Sequence, residues 1–318
     1  MIIPRILVVG AGHMGSLHAQ KVAELEKSGI ARLAAIADVD EERALTIVPG
    51  HPCPRVPDFR NVLSEADAAI VAVPTLAHFE IVSACLIAGL DVLVEKPIAA
   101  TLAEGEKLLS LASEQARLLQ VGHLEWFNAA MATMAERVTR PRFIECHRMG
   151  PFTARATDVD IVRDLMIHDI DIVQRLLGEE PERIESIGVP LLTEQVDLAN
   201  ARLNFGSGCI GNFTASRVSP TPMRKIRFFQ KDGYFSVDFL DQAVVIARRI
   251  LDPESGEKRI DVERLEIDRA DALLQQLQSF VESLKERKLA AGTAKDALGA
   301  LRTAVRVIDA MPDLEEIE

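Results

Sequence analysis

The stretch RILVVGAGHMGSLHAQKVAEL, residues 5–25, decides the fold. A short apolar run, RILVV, reads as a strand and passes directly into Gly10, Gly12 and Gly15, after which SLHAQKVAEL takes up helical periodicity. A GxGxxG pattern carries meaning in this setting, between a strand and a helix. Gly10 permits the tight turn, Gly12 lets backbone approach a pyrophosphate, and Gly15 lets helix and strand pack closely. The helix N-terminus then offers amide donors and its positive dipole end, with the backbone of His13 and Met14 at the mouth. The stretch therefore predicts the first βα unit of a doubly wound parallel sheet that binds a dinucleotide.

Working outward, RLAAIAD, DAAIVAV, DVLVEKP and RLLQVGH repeat the hydrophobic strand signal, separated by helices near HFEIVSACLIAG and over Leu102–Glu114. Strands this apolar are buried on both faces, the habit of a parallel sheet. The second strand ends at Asp38, placed to accept from both adenosine ribose hydroxyls, and no Arg or Lys stands directly beside it, which favours NAD over NADP. Asp40 competes as a cap of the helix that follows. AVPTLAHF (72–79) and VLVEKPIA (92–99) lie at strand C-terminal ends, where open α/β sheets take ligands, so Val73, Pro74, Thr75, His78, Glu95 and Lys96 join the cofactor candidates.

Beyond residue 122 the pattern changes. From about Pro181 to Arg264 strands alternate in-out and break at turn residues, with hairpin signals at FGSG and KDGY, and two helices, Asp271–Lys288 and Thr293–Ala310, close the chain. The expected organisation is a Rossmann NAD-binding domain over 1–122, followed by an α+β domain over 123–318 with an open, largely antiparallel sheet, serving substrate binding and oligomerisation. A length of 318 residues fits two domains.

A net charge of −12 without a local basic cluster argues against nucleic acid. The chain starts in a strand without the order of a signal peptide, and no apolar run nears the roughly 20 residues that span a bilayer. Cys53, Cys85, Cys146 and Cys209 are scattered, so no metal site or disulfide framework is expected, and a cytoplasmic setting fits best.

One more stretch asks for chemistry: DVDIVRDLMIHDIDIVQRLLG, residues 158–178. At about 100° per residue, Asp160, Asp164, His168, Asp171 and Arg175 share one helical stripe, while Leu165, Met166, Ile170, Ile172, Val173, Leu176 and Leu177 cover the other side. The stripe reads either as wet surface or as a site. Asp169, in the middle of the apolar arc, has no explanation at this level.

GAGHMG, Asp38, VPTLAH, VEKP and the D-x-x-x-H of RDLMIHDID, in this order along nearly the whole chain, resemble the glucose–fructose oxidoreductase, inositol dehydrogenase and rhizopine-catabolism (Gfo/Idh/MocA) family. The resemblance implies an NAD-dependent sugar or polyol dehydrogenase in which Lys96, Asp164 and His168 meet over the nicotinamide. His168 would take the hydroxyl proton, Asp164 would orient its ring from the adjacent turn, and Lys96 would stabilise alkoxide charge. Within the family, LQVGHLEWFN, PRFIECHRMGPFTARATDVDIVRDLMIHDIDIV, NARLNFGSGCIGNFTASRVS and RKIRFFQ resemble members that oxidise the C3 hydroxyl of UDP-N-acetylglucosamine to a ketone, ahead of amino transfer in lipid A or surface polysaccharide synthesis. That would place His123, Trp126, Arg148, Arg155 and Arg163 at a UDP-sugar, the forked guanidinium suiting a diphosphate; each arginine reads equally as a surface charge, and Trp126 equally as a packing residue. Glu125-Trp126-Phe127 stands where relatives often have Arg then Phe or Tyr, Ala129 where Pro often follows the Asn, and DVDIVR replaces a glycine cluster. These departures keep an inositol or free-sugar dehydrogenase open as the alternative. A non-catalytic NAD-binding sensor is the other class, although it has no need of Lys96, Asp164 and His168. The resemblance also implies a homodimer or homotetramer formed sheet against sheet, with NARLNF and GCIGNFTAS expected to leave an apolar face open.

Overall fold

The alternating strands and helices at the start of the chain build a six-stranded sheet, parallel throughout, in the order β3-β2-β1-β4-β5-β6. Its strands are β1 (Arg5–Val9), β2 (Arg32–Ala37), β3 (Arg55–Val56), β4 (Ala68–Val71), β5 (Asp91–Val94) and β6 (Leu119–Val121). Between them run α1 (His13–Lys27), α2 (Glu41–Thr46), α3 (His78–Ile87) and α4 (Leu102–Glu114). The structure, a computed structural model, describes residues 3–153, 159–231, 233–252, 256–288 and 293–312. Every residue of β4 and β5 is buried, as a parallel sheet covered on both faces requires. The strand order reverses at β1, with β2 on one side and β4 on the other, and this switch point is where such sheets take ligands.

By contact the chain divides into Met1–Leu124 with Asp271–Leu298, and Glu125–Ala270 with Gly299–Glu318. The expected boundary after residue 122 gave both closing helices to the second domain, and this is corrected for the first of them. Helix α7 (Ala272–Glu286) buries Leu277, Phe280 and Val281 in the same core as Ala19, Val22 and Leu25 of α1 and Leu93 of β5. An amphipathic stripe shows that a helix has a buried face; it does not say which sheet receives it. The division itself falls inside α8 (Ala294–Asp309).

The second unit contains an eight-stranded sheet in the order β14-β13-β12-β11-β7-β10-β9-β8. These strands are β7 (Phe143–Met149), β8 (Pro181–Val189), β9 (Leu198–Phe205), β10 (Ile210–Ser216), β11 (Met223–Gln230), β12 (Gly233–Asp238), β13 (Ala243–Leu251) and β14 (Lys258–Leu265). All pairs are antiparallel except β7 with β10. FGSG links β9 to β10 and KDGY links β11 to β12, as the turn signals predict. The sequence reading began this sheet at Pro181 and so missed β7, which lies at its centre. Helices α5 (Ala129–Ala135) and α6 (Ile167–Leu177) belong to the same unit.

One face of the sheet forms the core through Ile144, Cys146, Ala201, Leu203, Phe213, Ile226, Phe228, Phe235 and Val237. The other face is not the apolar surface expected of NARLNF and GCIGNFTAS. Apart from Ile210, those strands turn their apolar side chains inward and present Asn200 bonded to Thr214, and Arg202 bonded to Asn212. Apolar character on that face includes a row that the register carries across six strands: Val262, Ala247, Tyr234, Phe229, Phe143 and Ile210. The Phe143, Phe229 and Tyr234 rings stack along it at 5.5 and 5.1 Å.

Candidate active site

At the switch point a cleft of about 780 Å³ is lined by Gly10, Gly12, Asp38, Val39, Arg43, Phe59, Val73 and Pro74, among others. The three glycines meet different demands. Gly10 has φ +100°, and a Cβ there would lie 2.3 Å from the Ala72 carbonyl oxygen; a Cβ on Gly15 would lie 1.8 Å from that of Gly10. Around Gly12 there is open space, so a phosphate can approach the backbone at the start of α1. His13 is exposed and Met14 half-buried in the first turn of that helix. Asp38 lines the cleft and is fixed by main chain: the Ala11 N–H donates to Oδ2 (2.5 Å) and the Asp40 N–H to Oδ1 (2.8 Å). Asp40 itself caps α2, accepting from the Arg43 N–H at 3.0 Å. These residues fit NAD.

Arg43 was missed, because five positions separate it from Asp38 in sequence while both line one cleft. Its guanidinium pairs with Asp40 at 3.2 Å. Asp38→Ala is expected to weaken NAD and improve NADP, because a repelling carboxylate goes while Arg43 stays available to a 2′-phosphate. Calorimetric titration of both cofactors checks this, and tighter NADP binding by the wild type would contradict it.

Lys96 follows β5 and is half-buried, in a turn with a cis Lys96–Pro97 peptide. Two of its expected cofactor neighbours do something else. The Glu95 carboxylate lies 2.7 Å from Nε2 of the buried His18 on α1. Burial is the largest single influence and pushes that carboxyl up; the His18 hydrogen bond and charge, the Lys96 charge and the Lys96 N–H together outweigh it, and the net direction is down. His78 is also buried, with Nδ1 2.9 Å from the Pro97 carbonyl oxygen and Nε2 3.0 Å from that of Val73. Both side chains are thus taken up within the protein, since a strand-end position fixes where a backbone goes and leaves the side-chain direction open. Thr75 opens a single 3₁₀ turn before α3, and His123 is buried just after β6.

In the second unit the stripe of 158–178 is no solvated face. Asp160 is buried and accepts from the Val162 and Arg163 N–H groups (3.0 and 2.9 Å), capping a π-helical stretch over Val162–Met166 that leads into α6. Such wide turns recur at functional sites. Asp164 sits in it and His168 in the first turn of α6, both half-buried. Asp171 is buried and bonded to Arg175 (3.4 Å), whose guanidinium stacks 4.1 Å over the Trp126 ring.

Asp169 now has its explanation. It receives Arg148 through Nε (3.2 Å) and Nη2 (2.7 Å), while Nη1 of Arg148 bonds Glu125. The expected diphosphate role of Arg148 is corrected accordingly: a side chain 3 % exposed and committed to two carboxylates braces β7 against α6. Glu125, the departure from the family pattern, is the partner that sequence reading missed. Arg163 pairs with Asp160 at 3.4 Å and keeps an exposed edge, and Arg155 lies outside the described residues.

Among the described residues no cluster of His, Cys, Asp or Glu is arranged to hold a metal, and no helix is long and apolar enough to cross a membrane. All four cysteines are free and buried; burial pushes the Cys85 thiol up to about 12, which leaves it no nucleophile at neutral pH.

Residues 4–123 match the model of the oxidoreductase family with an NAD-binding Rossmann fold, and residues 122–236 match the GFO/IDH/MocA C-terminal domain. The chain belongs to the Gfo/Idh/MocA family. It is an oxidoreductase that uses NAD. Among relatives, a UDP-N-acetylglucosamine 3-dehydrogenase of Acidithiobacillus ferrooxidans is 33% identical over 285 residues, covering 89% of this chain and 90% of that protein. A myo-inositol 2-dehydrogenase of Thermotoga maritima is 26% identical, covering 93% of each. A solved structure of a UDP-N-acetylglucosamine 3-dehydrogenase from A. ferrooxidans superposes with a TM-score of 0.90 at 31% identity over 98% of both chains.

Proposed function

We propose that this dehydrogenase oxidises the C3 hydroxyl of UDP-N-acetylglucosamine to the 3-keto sugar. The observation that carries the reading is the likeness to the A. ferrooxidans UDP-N-acetylglucosamine 3-dehydrogenase, in sequence over 89% of the chain and in fold at a TM-score of 0.90. Bound NAD supplies the acceptor for the hydrogen that leaves carbon. His168 takes the hydroxyl proton, being the side chain whose ordinary titration range suits a base near neutral pH. Asp164 orients that imidazole and favours its charged form once the proton has arrived. Lys96 hydrogen-bonds the same oxygen and stabilises the charge that develops on it. A ketone at C3 is ready for amino transfer, so the product suits lipid A or surface polysaccharide synthesis in the cytoplasm.

The test is purified protein mixed with UDP-sugars and free polyols while the absorbance of reduced nicotinamide is followed. Turnover of UDP-N-acetylglucosamine well above that of myo-inositol is the expected result. The reverse order would move the protein to the inositol dehydrogenases, and no turnover of any sugar despite NAD binding would favour a sensor.

The assembly we propose is a homodimer or homotetramer joined through the second unit's sheet. The apolar row from Val262 to Ile210 supports it, flanked by polar pairs such as Arg227 with Glu145 that can set the register of a facing copy. Light scattering at micromolar concentration is expected to give two or four chain masses; a single chain mass would count against it.

A further inference from the structure

We propose that His18 and His78 are positioning residues that hold the Lys96 turn from its two flanks, tying it to the two loops that line the cofactor cleft. The inference rests on the reading of Lys96 as the partner of the substrate oxygen. On one flank stands Glu95. Its carboxylate is reached by His18 Nε2 at 2.7 Å, and His18 sits fully buried on α1, one turn after Gly15. The helix that begins at the glycine loop therefore also fixes the residue before Lys96. The end of β6 closes around the same carboxylate, since a Cβ on Gly122 would lie 3.0 Å from Oε2 and 3.1 Å from Oε1.

On the other flank stands Pro97. One imidazole, His78, spans its carbonyl oxygen and that of Val73, at 2.9 and 3.0 Å, and Val73 lines the cleft. Burial draws His78 towards the neutral form, in which its single N–H is donated to one of the two carbonyl oxygens while the other ring nitrogen packs beside its neighbour without donating. The residues on both sides of Lys96 are thus anchored to different elements through rings 0 % and 1 % exposed. Sequence placed His78 among the cofactor candidates and gave His18 no role, because neither Glu95 nor Pro97 is near its histidine in the chain.

Two fixed flanks leave the lysine backbone one orientation. A displacement of about 1 Å at a reacting group can cost on the order of 10²-fold in rate, so the clamp has a kinetic signature. A role confined to folding would lower NAD affinity together with turnover. A positioning role lowers kcat alone, and the effect disappears once the lysine is gone.

The experiment uses the full chain, NAD and the best sugar from the screen. His18→Leu and His78→Leu are expected to lower kcat about tenfold or more, with NAD Kd and sugar KM within about threefold of wild type. His18→Gln and His78→Gln, which retain an N–H donor, are expected to recover most of that loss. Lys96→Met combined with His18→Leu is expected to be no slower than Lys96→Met alone. Should the Leu variants fail to fold, Glu95→Met takes their place: it keeps the length and removes the acceptor that His18 meets, and a fall in kcat at constant NAD Kd supports the clamp, unchanged kcat overturning it. Wild-type kcat in the histidine variants beside an inactive Lys96→Met overturns the clamp alone, as does a parallel loss of kcat and NAD affinity. Retained turnover in Lys96→Met overturns the reading of the lysine, and the inference with it.

Discussion

His168→Ala is expected to lower kcat by roughly 10²-fold or more while NAD affinity stays near wild type, as removal of a positioned general base does. The pyrophosphate loop, Asp38 and the cleft they line all belong to the first unit, whereas His168 is on α6 of the second. A binding defect is therefore not the expected outcome. Lys96→Ala should show a comparable loss, because a donor aimed at a developing alkoxide acts mainly on the transition state. Asp164→Asn should be milder, since it keeps shape and changes charge. The measurement is steady-state kinetics beside calorimetric NAD titration. Near-wild-type turnover in a folded His168→Ala protein would remove the residue from the chemistry. The π-helical stretch before α6 would then be a packing feature only.

What sequence could and could not tell divides along a physical line. The glycine spacing at residues 10–15 was readable because Gly10 and Gly15 answer steric demands of the backbone, as the contacts a Cβ would make there bear out, while Gly12 leaves open space for a phosphate. The carboxylate ending β2 was readable for the same reason: position along a strand sets position in a parallel sheet. Facts that depend on which distant side chain comes to meet a residue were not readable. Asp169 looked like an error in an apolar arc until Arg148, twenty-one positions away, took it up. Arg148 looked like a phosphate ligand until Glu125 and Asp169 claimed its donors. The stripe of 158–178 was laid out at a uniform 100° per residue, and a π-helical stretch at Val162–Met166 alters that angle between Asp164 and His168. Periodicity likewise gave α7 a buried face without naming the α1 surface that covers it.

Arg148→Met is expected to be the most destabilising single change in the second unit, by about 3–5 kcal/mol, the usual cost of removing one partner from a buried ion pair. The guanidinium is shared by two carboxylates, with side chains 3 % exposed for Arg148 and Asp169 and 15 % for Glu125. Removing it leaves two anions close together with little water. Asp169→Asn should cost less, because Glu125 still pairs with the arginine and the amide oxygen can accept one N–H. Burial already holds the Asp169 carboxyl above its usual range in spite of Arg148, and losing the cation raises it further. A carboxyl raised on folding stabilises the fold fully below its unfolded value, and that contribution is lost as pH rises through the folded value. The deficit of Arg148→Met should therefore widen from about pH 4 upward. Replacing both members, Arg148→Met with Asp169→Leu, should restore much of the loss, since well-packed apolar pairs often match a buried ion pair. Urea titrations of the wild type, Arg148→Met, Asp169→Leu and the double variant at acidic and neutral pH measure the coupling directly. A double variant as unstable as the sum of the singles, with no dependence on pH, would show that the pair acts through packing volume and not through charge.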